Sequence, residues 1–153
     1  MTPQELIGAA EHMLRRRRSS PRQALLKRAV STAYYAVFHA AARMAANALV
    51  GRTKASTDAW LLTYRAVQHT FVKDVMRRAD VQGMHDGVRQ FASIFIALQE
   101  LRHLADYDPS RAFTREEAVA AVEFAERGIA ALDAVPQPLR LDLAARLLFK
   151  PRP

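Results

Sequence analysis

The stretch from Ala29 to Val50 constrains this chain more than any other. It is the longest apolar run, 22 residues, long enough to cross a bilayer. It also carries His39, Arg43, Asn47 and the pair Tyr34–Tyr35. Such groups are costly in lipid, so a buried helix in a water-soluble protein is expected instead. Pro21 suits the start of this helix and Gly51 stands just past its end, as helix signals require. The predicted helix therefore runs over Pro21–Leu49. Leu26, Ala29, Ala33, Val37, Ala40 and Met44 line one side, and Tyr34, Phe38, Ala41 and Ala45 another. A helix apolar on so many sides has to be covered on those sides, which places it at the centre of a bundle.

The rest of the chain is the right size to supply that cover. With 153 residues there is enough for one core and hardly for two. Half of the residues are hydrophobic and a quarter charged, a globular balance. There are 29 alanines and five glycines, and no stretch alternates as a strand would, so an all-α fold is expected. The absence of cysteine excludes disulfides, thiolate metal sites and cysteine nucleophiles. The N-terminus shows no apolar segment after a basic start, and a cytoplasmic location without membrane association is expected.

Local signals place the other helices. Thr2, Pro3 and Glu5 read as cap, first helical residue and third helical residue of a helix over Thr2–Arg18. Residues 51–57 read as a loop. A ragged apolar pattern over Asp58–Arg78 suggests a helix broken near His69, and Val81–Asp86 a turn. A helix over Val88–Ala105 follows. Thr114 and Glu117 have capping-box spacing and open a helix that Pro136 and Pro138 end. Leu139–Phe149 is short and amphipathic. The expected architecture is an up-and-down bundle over residues 1–135, followed by a short extra C-terminal helix and basic tail over 136–153.

The excess charge of +8 lies at the two ends. Residues 1–28 carry seven Lys/Arg against two acids, residues 136–153 four against one, and the middle twelve of each. Arg15, Arg16, Arg17 and Arg18, followed by Arg22 and Arg28, form the densest part. Nineteen of the 23 cations are arginine, whose planar fork suits phosphate. These residues are candidates for RNA contact, beside the plainer reading of a solvated surface.

Two groups of residues could carry chemistry. Arg102 lies seven positions after Phe95 on an apolar stripe, within about 20° of its phase, so a cation faces inward. Asp106, one turn on, can pair with it. A buried ion pair and a guanidinium held for phosphate are both open, and spacing favours the pair. The second group is the row Arg28, Thr32, Tyr35, His39 and Arg43, with Ser31 beside it. It reads either as a solvent-facing stripe or as the polar wall of a groove opposite Arg102, where His39 could move a proton. His12, His39, His69, His85 and His103 lack ligand spacing, so no metal and no cofactor is expected.

The run from Lys27 to Ala41, with Ser31-Thr32-Ala33-Tyr34-Tyr35-Ala36-Val37-Phe38-His39 at its centre, resembles the first characteristic helix of the HEPN superfamily. Arg102-His103-Leu104-Ala105-Asp106-Tyr107-Asp108 resembles the end of that family's later helix, and Gln68–Lys73 a weaker segment between them. The resemblance covers most of residues 21–135, within a prokaryotic, toxin-like branch. It implies a bundle of four to five helices that forms a homodimer. Family members are often metal-independent ribonucleases, many of them toxins paired with a nucleotidyltransferase antitoxin. Their motif is an arginine, a polar residue and a later histidine. Arg102 matches the first and His103 the second, but positions 107–109 hold Tyr107, Asp108 and Pro109 instead of histidine. His103 or His39 would have to substitute. Tyr107 lies near the place where some members accept AMP on tyrosine. The resemblance therefore implies an RNA- or nucleotide-binding component, a toxin in kind, of a two-gene system with a nucleotidyltransferase. An active endoribonuclease using Arg102 and a non-catalytic protein-interaction module are the alternatives.

Overall fold

The computed structural model describes residues 1–15 and 22–153. Among them it is an all-α, up-and-down bundle without strands: α1 (Pro3–Leu14), α2 (Gln23–Leu49), α3 (Asp58–Ala66), α4 (His69–Met76), α5 (Ala79–Gln82), α6 (Asp86–Tyr107), α7 (Arg115–Asp133) and α8 (Gln137–Leu148). Eight helices exceed the four to five, plus one, that were expected. The difference arises within residues 58–86, where three short helices replace one ragged helix and a turn.

The central helix is where its sequence puts it. α2 packs against α1, α3, α6, α7 and α8, and Ala29, Val30, Ala33, Tyr34, Ala36 and Val37 are all fully buried. Its many alanines let neighbouring helices come close. Glycine serves the same end between α6 and α7. A Cβ on Gly87 would stand 2.6 Å from the Ala131 carbonyl oxygen, and one on Gly128 3.0 Å from Ile94.

Both expected capping boxes form. The Thr2 hydroxyl accepts from the Glu5 amide at 3.2 Å, and the Glu5 carboxylate accepts from the Thr2 amide at 2.6 Å. Thr114 and Glu117 repeat the exchange at 3.0 and 2.8 Å. Each cap is worth about 1 kcal/mol. The break near His69 is two extended residues, Val67 and Gln68. They reset the helical phase so that Val67 and then Val72 both enter the core.

α1 ends at Leu14, not at Arg18. Arg15 is extended (φ −58°, ψ 138°), and the Leu14 carbonyl accepts from the Arg115 guanidinium at 2.8 and 3.2 Å, which satisfies an orphan acceptor of the last turn. Arg16, Arg17 and Arg18 lie outside the described residues. At the other terminus α8 buries Leu143, Ala144 and Leu147 in the same core as α2, so residues 136–148 complete the bundle. Among the described residues, no helix is long and apolar enough to cross a membrane.

Candidate functional site

Arg102 faces inward from α6, as its phase requires. Its side chain is only 14% exposed, and its Nη1 stands 3.7 Å from Asp106 Oδ2. The other Asp106 oxygen accepts from the hydroxyl of Ser31, which is itself buried in α2. The carboxylate is thus held between the two helices. The guanidinium carbon lies 5.1 Å from the Tyr34 ring centre, 5.9 Å from that of Tyr35 and 5.8 Å from that of Tyr107. Three rings and a carboxylate answer one positive charge, by cation–π attraction and Coulomb attraction together. The Arg102 Nε is buried with no hydrogen-bond partner.

Tyr34 carries the network further. Its ring is fully buried, and its hydroxyl shares a 2.7 Å hydrogen bond with His69 Nδ1. Burial pushes the Tyr34 phenol up to about 12, against the opposing pull of Arg102. His69 stacks on Phe38 with ring centres 3.6 Å apart. Burial lowers its pKa below the ordinary 6.5, and the charge of Arg102 and the proximity of His39 act in the same direction. These effects favour the neutral form of the His69 ring. It also borders a shallow cleft with Phe38, Tyr64 and Gln68. The sequence assigns it no role; the one sign is its place in the segment Gln68–Lys73.

The polar row on α2 divides. Ser31 and Tyr35 reach the Arg102 group. Thr32 is buried and donates to the Arg28 carbonyl at 2.7 Å, so it lines no groove. His39 bonds through Nδ1 to the Tyr64 hydroxyl, and Arg43 sits over the Trp60 ring at 5.7 Å. Both turn to α3 instead of Arg102. Burial also lowers the His39 pKa. His103 is exposed, beside the Tyr107 ring at 5.0 Å, and Tyr107 is 66% exposed. The basic N-terminal half of α2 lies at the same end of the bundle. Lys27 donates to the Asp108 carbonyl at 3.0 Å, and Arg15, Arg22 and Arg28 are exposed. Among the described residues, no cluster of three or more His, Asp or Glu side chains could hold a metal.

No family model, curated protein or solved structure matches this chain. The chemistry of the Arg102 group therefore rests on its own geometry and on the resemblance of its two sequence segments.

Proposed function

We propose that this chain is a helical module of the HEPN type that acts by binding and does not cleave RNA. The observation that supports this most is the condition of Arg102. A guanidinium that clamps phosphate needs open N–H donors. This one is covered by Tyr34 and Tyr35, faces Asp106 and hides its Nε. The nearby imidazoles are engaged as well: His69 with Tyr34, and His39 with Tyr64. The partner assigned is a second copy of the chain, docked on the end of α6 and the exposed residues at the start of α2, since the apolar faces of α2 are covered within the chain. Tyr107, exposed at the end of α6, is of a residue type that anchors interfaces. The resemblance adds a nucleotidyltransferase as a heterologous partner.

A second reading, RNA binding, is favoured by one observation. The exposed cations Arg15, Arg22 and Arg28 share an end of the bundle with the Arg102 group. Filter binding of labelled single-stranded RNA tests it. Binding through these cations weakens steeply with salt, because phosphate neutralisation releases counterions. Arg22→Ala combined with Arg28→Ala should flatten that slope. An unchanged slope would remove the reading. Light scattering tests the dimer, and a 17 kDa species at micromolar concentration would count against it.

A further inference from the structure

A second cleft lies elsewhere on the molecule and has a different character. It is about 500 Å³, within the size range of small-molecule sites. Its walls come from the start of α1, the second half of α2, the end of α7 and the start of α8, with Arg52 from the short 3₁₀ turn after α2. Three arginines line it, Arg43, Arg52 and Arg140, against one acid, Asp133. Among the described residues, none of the three has a carboxylate within ion-pair distance: the pairs formed involve Arg77, Arg78, Arg89, Arg102, Arg111 and Arg146. The Arg140 Nε is buried and has no hydrogen-bond partner. With Nε enclosed, an anion in the cleft would meet Arg140 through its terminal guanidinium nitrogens.

The neighbouring groups suit an anion too. Asn47 spends its side-chain oxygen on the Trp60 indole N–H at 3.0 Å, which leaves its amide NH₂ as a donor. Trp60 also carries Arg43 on its ring face, so one buried aromatic positions two of the lining side chains. α8 opens at Gln137 with no side-chain cap, but Pro138 has no N–H and the Leu139 and Arg140 amides both donate to the Pro136 carbonyl at 3.0 Å, so this helix start adds little beyond the Gln137 N–H.

We propose that this cleft binds a small phosphate-bearing ligand, held by Arg43, Arg52, Arg140 and the Asn47 amide. Phosphate is the fitting anion because arginine forks bond two of its oxygens at once. Arg43 lies eight residues beyond Tyr35 on α2, about 12 Å along the helix axis, so this site does not depend on the Arg102 group or on what that group binds.

Isothermal titration of the full chain with inorganic pyrophosphate at low salt tests the proposal. Arg140→Met should weaken binding by about tenfold or more, the loss expected for a charge-assisted hydrogen bond. Arg52→Ala, on an exposed turn where folding is not at risk, should weaken it as well. Asp133→Asn should tighten it, since the opposing carboxylate is gone. Arg127→Ala, an exposed cation of α7 outside this cleft, should leave affinity near that of the wild type. No binding at millimolar pyrophosphate would overturn the proposal. So would an equal loss in Arg127→Ala, which would mean only a general field. Citrate binding as tightly as pyrophosphate would refute the phosphate assignment. Displacement of pyrophosphate from this cleft by a short oligoribonucleotide would identify a nucleic-acid backbone and overturn the small-ligand assignment.

Discussion

Removing Arg102 and Asp106 singly and together separates a structural pair from a ligand-binding arginine. At 3.7 Å the Coulomb attraction is about 1 kcal/mol in a water-like medium and about 4 kcal/mol at an effective dielectric of roughly 20. The side chains are 14% and 28% exposed, so the pair lies between these limits. Desolvation of the guanidinium takes back part of the gain. A coupling of about 1–2 kcal/mol remains, above the usual range for exposed pairs. Arg102→Ala also removes packing on the Tyr34 and Tyr35 rings, for a total loss of about 2–3 kcal/mol. Asp106→Ala leaves the buried Ser31 hydroxyl without its acceptor, for a loss of similar size, about 2–3 kcal/mol. Urea unfolding of wild type, both single variants and the double variant gives the coupling directly. Strictly additive losses, or an Arg102→Ala variant as stable as the wild type, would refute the structural role. Arg102 would then be free to serve a ligand.

Two further outcomes follow from burial. His39 and His69 both have lowered pKa values in the fold, so the unfolded chain binds more protons once pH falls below about 6.5. Stability is therefore full above that pH and declines as pH falls through the lowered native values. Thermal melts from pH 7.5 to 5.5 should show this decline, and His39→Gln with His69→Gln should flatten it; a flat wild-type profile would contradict the partial burial of both rings. Among the glycines, Gly87→Ala forces a Cβ against the Ala131 carbonyl oxygen at 2.6 Å and should cost about 1–3 kcal/mol in urea unfolding. Gly8→Ala on α1 meets nothing within 4 Å and should stabilise by about 0.5–1 kcal/mol; the opposite order would contradict the packing of α6 against α7.

Features that depend on neighbours along the chain were legible in the sequence. The central helix shows in its apolar faces, the two capping boxes in the spacing of Thr2 with Glu5 and Thr114 with Glu117, and the inward phase of Arg102 in its distance from Phe95. The pairing with Asp106 follows from one helical turn. Features that depend on distant segments were less legible. Helical periodicity cannot say that Val67 and Gln68 extend, because the gain comes from burying Val67 and Val72 against other helices. The row from Arg28 to Arg43 shares a face in sequence, yet it meets α6 at one end and α3 at the other. A single helix crosses two partners over that length, so Tyr35 meets Arg102 and the next in the row, His39, finds Tyr64. The role of His69 under Tyr34 depends on how α4 docks, which no local pattern encodes.

Labelled single-stranded RNA incubated with the purified protein in EDTA near pH 7, with Arg102→Ala and His69→Gln beside the wild type, tests most directly whether the Arg102 group binds and holds structure without cutting RNA. Cleavage at the metal-free site would need a guanidinium for the developing phosphate charge and a neutral imidazole to take the 2′-hydroxyl proton; Arg102 is the candidate for the first, and His69 stands beside His103 and His39 as a candidate for the second. No cleavage above a protein-free control is expected in any of the three samples. Cleavage by the wild type that is lost in both Arg102→Ala and His69→Gln, with both variants still folded, would contradict it and establish a metal-independent ribonuclease.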